Sequence, residues 1–252
     1  MAAMTDAPLE RPGERLVAVH TSDLHLGANP LGRRHDGVAA LEEVVAAAQL
    51  VDAHLLLLAG DIFDHNRVPE TLVEEAARVL ADSAMTVVIL PGNHDPATDD
   101  SVYRRGAIAD AANLHVFGVT AGDHVDLAAM DLEIGGTPHV GYDDFRPLQA
   151  PRARSRRHRI VMAHGHWLTG AHDSHRSWLI HDDDLAAVDA DYVALGHWDL
   201  AQRAGDERAR AYYSGSPRYS GSVNVVRFDD GVVDVRRLAL REGVPEHFPP
   251  IG

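Results

Sequence analysis

The chain has 252 residues, 45% of them hydrophobic and 24% charged, with a formal net charge of −15 at pH 7 and no cysteine. Those proportions belong to a folded globular protein, and the missing cysteine excludes a disulfide framework and any thiolate-held metal, so every metal ligand must be nitrogen or oxygen. No apolar run reaches the roughly 20 residues of a membrane span, so the expectation is a cytoplasmic protein without a membrane partner.

Residues 1–14 read as a flexible leader, 15–240 as a single domain and 241–252 as a C-terminal tail. Leu16-Val17-Ala18-Val19-His20-Thr21 is the first expected strand, and it closes on Ser22-Asp23-Leu24-His25-Leu26-Gly27. A helix is expected from about Asp36, a favourable N-cap, with Leu41, Val44, Val45 and Ala48 on its buried face. The run Ala53 to Ala59 has the length and composition of a strand covered on both faces, and it ends on Gly60-Asp61-Ile62-Phe63-Asp64. A second helix is expected at Pro69, with Glu70 near its N-terminus and Leu72, Val73, Ala76, Ala77 and Leu80 facing inward. Thr86 to Leu90 is the third strand and delivers Pro91-Gly92-Asn93-His94-Asp95 to its tip. This alternation predicts parallel strands joined by right-handed crossovers.

Further on, the pattern predicts a helix around Val102 to Ala112 and short strands at Leu114 to Phe117, Val125 to Ala128, Asp131 to Ile134 and Pro138 to Val140. Arg152, Arg154, Arg156, Arg157 and Arg159 form the one dense basic cluster, which reads either as a solvated loop or as a phosphate-backbone contact. Arg159 to Ala163 then leads into His164-Gly165-His166, and Tyr192 to Leu195 into Gly196-His197-Trp198-Asp199. Tyr212 to Pro217, Val223 to Phe228 and Val232 to Leu238 are strand-like, with Asp229-Asp230-Gly231 as a hairpin turn.

Each of the strands that carries these motifs ends on imidazole, carboxylate or amide groups. In open α/β sheets ligands bind outside the carboxyl ends of the strands, so groups scattered in sequence can converge there. A mixed nitrogen and oxygen set suits two divalent ions such as Mn²⁺, Fe²⁺ or Zn²⁺ better than calcium, whose sites are built from oxygens. Two such ions roughly 3.5–4 Å apart form a clamp for in-line displacement at phosphorus, one activating the attacking water and both neutralising charge on the phosphoryl oxygens. In Asp23-x-His25 on an extended segment, alternate side chains would reach one ion. The glycine of Gly60-Asp61 allows a sharp turn that would set Asp61 between the ions as a bridge. Asn93 can ligate while His94 points away and is free to donate a proton.

Taken in order, Asp23-x-His25, Gly60-Asp61-x-x-Asp64, Gly92-Asn93-His94-Asp95, His164 and Gly196-His197 resemble the five motifs of the calcineurin-like metallophosphoesterases. The resemblance implies an α/β fold of four layers, an αββα sandwich of two mixed sheets flanked by helices, and a binuclear centre with manganese as the expected metal and iron or zinc as alternatives. It implies that Asp23 and His25 hold the first metal, Asp61 bridges, and Asn93, His164 and His197 hold the second. His94 would be the catalytic acid or transition-state stabiliser, oriented by Asp95, with Asp64 behind the ligands and His166 either behind them or beside the substrate. The family's last motif usually carries a second histidine where this chain has Asp199, which is expected to remain a first-metal ligand.

Ser22 to Gly27, Gly60 to Arg67 with Pro69, and Ala194 to His197 followed by Tyr213 to Pro217 are closest to the SbcD-type DNA-repair exonucleases. That likeness implies DNA as the phosphate-ester substrate, Arg67 as a phosphate contact and an SMC-like ATPase as partner, although only 241–252 follow the last hairpin. Three readings stay open: a nuclease-type phosphodiesterase, a phosphatase or phosphodiesterase of a small phosphorylated metabolite, and a metal-binding interaction module. Trp167, Trp178 and Trp198 either line a substrate groove or pack.

Overall fold

The computed structural model describes residues 15–28, 38–149, 153–168, 175–206, 208–229 and 231–248, and these form fourteen strands, four α-helices and three short 3₁₀ turns. In chain order the strands are β1 (Leu16–Thr21), β2 (Leu55–Ala59), β3 (Thr86–Leu90), β4 (Leu114–Val116), β5 (His124–Leu127), β6 (Leu132–Gly136) and β7 (His158–His164). They continue as β8 (His166–Leu168), β9 (Leu179–His181), β10 (Tyr192–Gly196), β11 (Gln202–Ala204), β12 (Ala211–Tyr213), β13 (Ser222–Asp229) and β14 (Val232–Ala239). The helices are α1 (Ala39–Leu50), α2 (Glu70–Ala81), α3 (Asp182–Ala187) and α4 (Pro217–Ser220).

Two mixed six-stranded sheets result. The first runs β14-β13-β1-β2-β3-β4, with β1 to β4 parallel and the β13–β14 hairpin joined to them through an antiparallel β13. The second runs β11-β12-β10-β7-β6-β5, parallel through its middle and antiparallel at both edges. Period-2 alternation decides which face each residue serves. Ala18, Leu55, Leu57, Val88, Leu90 and Phe228 pack across the seam against Leu132, Ile134, Ile160, Met162, Tyr192 and Ala194 of the other sheet. The intervening residues Val17, Val19, Leu56, Leu58, Val87 and Ile89 pack outward against α1 and α2. Leu55 to Leu58 are therefore buried on both faces, as their unbroken apolar run predicts.

α2 begins directly after Pro69, carries Glu70 in its first turn and Arg78 in its last, and so complements its own dipole. α1 begins at Ala39; the expected cap at Asp36 lies outside the described residues, as do the 1–14 leader, Arg152 and Asp230. The outer face of the second sheet has a thinner cover. Leu185 of the one-and-a-half-turn α3, Leu148 and Ile180 of the two-stranded β8–β9 sheet pack against Ala163, Val193, Leu195 and Tyr213. Four layers are thus present, with the fourth made of one short helix and a ribbon.

Two local expectations are corrected. The helix expected over Val102 to Ala112 is two 3₁₀ turns, Val102–Arg104 and Gly106–Ile108, broken by Arg105 in extended conformation and Gly106 at φ +61°. Pro138 to Val140 is not a strand; the His139 N–H is instead committed to the Pro91 carbonyl at 3.2 Å. Among the described residues no helix is long and apolar enough to cross a membrane.

Candidate metal centre

β1, β2 and β3 of one sheet and β7 and β10 of the other all end on the same side of the sandwich, where the sheets come together. The approach is close enough to dictate glycine. A Cβ on Gly196 would sit 1.8 Å from the Ala59 carbonyl oxygen, and one on Gly60, which is at φ +92°, would sit 2.0 Å from His164 Nδ1. These glycines stand directly before His197 and Asp61, so the backbone of one sheet can lie against the ligands of the other.

Asp61 is the hub. Its Oδ2 lies 3.2 Å from His164 Nε2 and 3.9 Å from His25 Nε2. Two sets of possible ligand atoms share it, each mutually within 4.8 Å: His25, Asp61 and His94, and Asp61, His164 and His197. Asn93 Oδ1 joins the second set, 3.0 Å from His164 Nε2 and 3.1 Å from His197 Nδ1. Donors held about 2.0–2.2 Å from one ion stand about 3.0–3.6 Å from each other; the 3.0–3.2 Å separations among Asp61, Asn93, His164 and His197 match this, while His25 stands farther from Asp61.

The chemistry of the set also requires a positive charge. His164 Nδ1–H donates to the Ala59 carbonyl at 2.9 Å, which leaves Nε2 as the lone-pair nitrogen of a neutral ring. That lone pair faces the oxygens of both Asn93 and Asp61. Acceptors converging without a donor are held apart by repulsion unless a proton or a cation sits among them. Burial disfavours an imidazolium, yet Asp61 and Asp23 outweigh it and push His164 up to about 9. Burial works to raise Asp61, but His164, then His25 and His94, overcome it and hold the carboxyl well below the ordinary carboxylate range. Burial raises Asp23 to about 6, with Asp61 adding to the rise and His164 opposing it. Burial, reinforced by His164, lowers His197 to about 3, so its ring is a neutral donor. Divalent cations fit these residues.

Backbone strain gathers at the same place. Asp23, His25, Asp61 and His197 have φ of +53°, +47°, +54° and +100°. Left-handed backbone at a non-glycine residue costs of order 1–3 kcal/mol and concentrates where geometry serves function. The Asp23-x-His25 segment is therefore not extended; it is a loop laced to its neighbour by Asp23 N–H to Gly60 O, His25 N–H to Asp61 O and Asp64 N–H to Leu26 O, at 2.9–3.0 Å.

The remaining candidates divide. Asp23 is buried, with Oδ2 accepting the His197 N–H at 3.0 Å, and stands outside both three-residue sets. His94 falls inside the first set rather than off it; its ring meets that of His25 edge to face at 4.6 Å. Its Nδ1–H is held by the Asp64 carbonyl at 2.9 Å. Asp64 also places its carboxylate 3.5 Å from His25 Nδ1. Asp95 does not orient His94. Fully buried, it accepts from Ile62 N–H (2.8 Å), Phe63 N–H (2.9 Å), Gly92 N–H (2.8 Å) and the Tyr103 hydroxyl (2.5 Å), tying the second and third motif loops together.

Asp199 is exposed and outside both sets; its carbonyl accepts the Ser216 N–H at 3.0 Å as the turn after β10 leads away. Arg67 is exposed, with its main-chain N–H 3.2 Å from His65 Nδ1. His166 is half-buried on β8, 3.2 Å from Arg176 and 6.3 Å ring to ring from His197.

Three arginines of the basic cluster are committed to carboxylates, which favours the solvated-loop reading over a phosphate contact for them. Arg154 pairs with Asp189 and Asp191 at 2.9 Å, Arg156 with Asp126 at 2.6 Å, and Arg159 with Glu133 at 2.5 Å. They surround the start of β7, at the opposite end of that strand from His164. One residue near the centre escaped sequence reading. His139 is buried, Nε2 lies 3.0 Å from the His164 carbonyl, and burial, then His164, lower it to about 4. It stitches Pro91 to His164 across the seam, and a lone Pro-His in a weakly patterned stretch gave no signal of that.

Comparison with known proteins places the arrangement. The chain is 30% identical over 246 residues to the DNA double-strand break repair protein Mre11 of Haloferax volcanii, an alignment covering 88% of this chain and 52% of that protein. The Mre11 of Aeropyrum pernix is 30% identical over 195 residues (71% and 48%), and the SbcD subunit of the nuclease SbcCD of Bacillus subtilis 26% over 240 residues (79% and 61%). The chain thus spans about half the length of the Mre11 relatives. Among solved structures, TT1561 of Thermus thermophilus superposes with a TM-score of 0.58 at 13% identity, over 90% of this chain and 99% of that one. The NAD nucleotidase of Haemophilus influenzae does so with a TM-score of 0.52 at 11% identity, over 89% and 50%. Those two show the shared fold. A family model for calcineurin-like phosphoesterases matches residues 16–199, and the chain belongs to that family.

Proposed function

We propose that the chain is a metal-dependent phosphodiesterase of nuclease type. The observation that carries this reading is the convergence of carboxylate, imidazole and amide acceptors on Asp61, arranged as two overlapping donor sets. Asp61 would be shared between two divalent ions, with His25 and Asp23 on one side and Asn93, His164 and His197 on the other. Such ions, manganese by preference, neutralise phosphoryl oxygens and lower the pKa of water.

The protein's own groups account for the rest. Asp64 fixes the Nδ1 proton of His94 on its carbonyl, so the proton that the ring can exchange rides on Nε2. His94 is exposed where the donor sets open to solvent and is the residue assigned to protonate the leaving oxygen. DNA is proposed as the substrate because relatives are named as break-repair proteins and as a nuclease. One relative is by name a subunit, and a partner of the SMC-like ATPase kind is proposed here too, to be checked by co-purification.

A second reading has its own observation. Arg154, Arg156 and Arg159 are committed to carboxylates and the net charge is −15, and this is the observation on the side of a small phosphorylated metabolite as the alternative substrate. Purified protein with Mn²⁺, offered bis-p-nitrophenyl phosphate, p-nitrophenyl phosphate and single-stranded DNA, separates them. Diester and DNA cleavage is expected; monoester cleavage alone would sink the nuclease reading. His94→Ala is expected to abolish turnover with metal content unchanged, whereas loss of metal would make His94 a ligand.

A further inference from the structure

Trp178 lies beside the centre with its backbone in the left-handed region. Its φ is +55°, rare for a bulky residue and held only where the surroundings over-determine it. The Trp178 N–H donates to Asp144 Oδ1 at 2.7 Å, its carbonyl accepts the His166 N–H at 2.9 Å, and the indole N–H donates to the Asp143 carbonyl at 3.0 Å. Gly165 leaves room for that carbonyl, since a Cβ there would lie 2.3 Å from it. So anchored, the ring stands 4.9 Å from His139 and 6.0 Å from His197, steeply inclined to both, and remains half-exposed. The loop that supplies Asp143 and Asp144 also exposes Val140 by 67% and Tyr142 by 69%.

We propose that Trp178 is a specificity-determining residue: its indole is the wall on which an unpaired nucleobase stacks when the neighbouring phosphate lies at the donor sets. This rests on the phosphoesterase reading. A rigid aromatic beside a phosphate-binding centre suits a planar group one nucleoside away, and stacking tolerates any base because each has a π-face. It also suits the charge of the chain. With Arg154, Arg156 and Arg159 paired to carboxylates, these arginines add little attraction for a nucleotide, and a contact that charge does not govern gains weight. A base inside a duplex is already stacked on both sides, so the wall selects single-stranded or frayed ends.

The test compares a short single-stranded oligonucleotide with the same oligonucleotide carrying abasic residues at its cleaved end, using Trp178→Ala and Trp178→Phe. The wild type is expected to favour the normal oligonucleotide about ten-fold in KM. That preference should collapse in Trp178→Ala and return in Trp178→Phe with kcat and metal content held. A preference that survives in Trp178→Ala, or metal lost from both variants, would make the residue a support for His139 and His197 and overturn the proposal.

A second arm is independent of turnover. Trp167, Trp178 and Trp198 are the only tryptophans, so in a Trp167→Phe, Trp198→Phe background fluorescence reports Trp178 alone. Deoxyadenosine monophosphate should quench it and deoxyribose 5-phosphate should not; equal responses or no response would overturn the proposal. Quenching without diester cleavage would leave the wall standing and remove the phosphoesterase reading, while cleavage without quenching would do the reverse.

Discussion

Asp95 offers the most direct trial of what holds the centre in shape. Its carboxylate is fully buried and receives four donors: three at Oδ2, from Ile62 N–H, Phe63 N–H and the Tyr103 hydroxyl, and one at Oδ1, from Gly92 N–H. Asp95→Ala removes every one of those bonds. A buried group orphaned in this way costs about 1–3 kcal/mol, and taking the low end for four groups, because loops relax and water enters, gives a loss of about 4 kcal/mol. That is a large part of the ~5–15 kcal/mol by which a domain is stable. Asp95→Asn is milder. An amide oxygen in the Oδ2 place keeps three donors, while the amide nitrogen meets the Gly92 N–H donor to donor, for a loss of about 1.5–3 kcal/mol. Burial and the nearby Asp61 raise the Asp95 pKa, so its charge is already penalised and the lower half of that range is expected. Urea unfolding of the metal-free protein, followed by circular dichroism, reads both variants. The reasoning fails if Asp95→Ala unfolds within about 1 kcal/mol of wild type. It also fails if Asp95→Asn is as inactive as His94→Ala at undiminished stability, because Asp95 would then act in the chemistry.

Two further outcomes are expected. Gly60→Ala puts a methyl group 2.0 Å from His164 Nδ1 at a φ of +92°, so plasma-emission metal analysis should find less bound metal than in the wild type; an unchanged metal content would contradict the close-approach argument. His20, buried against Tyr192, is lowered by burial to about 3, with the Leu195 backbone opposing. The unfolded chain therefore binds the extra proton between about pH 6.5 and pH 3. Stability from this group is complete above the unfolded pKa and is lost on acidification at about 1.4 kcal/mol per pH unit. In metal-free protein His20→Leu should flatten the fall in urea stability between about pH 6 and pH 4 by about that slope, and parallel curves would refute it.

The parts of the fold legible in sequence are those with local causes. The four leucines of β2 announce a strand buried on both sides, Pro69 and Glu70 mark a helix start, and glycine before Asp61 and His197 marks places where a side chain would collide. What escaped depends on partners distant in the chain. Nothing local in Arg154, Arg156 and Arg159 says that Asp189, Asp191, Asp126 and Glu133 wait across the sheet. Asp95 sits next to His94 in sequence, yet points into the protein toward other loops. The stretch from Val102 to Ala112 is expected to be one helix, but Arg105 and Gly106 break it into two turns. Asp199 follows His197 by two, and adjacency did not reveal that the turn leaves it exposed.

The donor sets draw His25, Asp61, Asn93 and His94 from one sheet and His164 and His197 from the other, and this makes the centre a gauge of sheet alignment. A misplacement of about 1 Å is enough to lower a rate about a hundred-fold. Sliding one sheet against the other moves every donor pair that crosses the seam while sparing those within a sheet. Leu90 and Met162, which pack across that seam without being candidate ligands, thereby gain a share in the chemistry. The apolar interior acts here as the jig that keeps two half-sites in register.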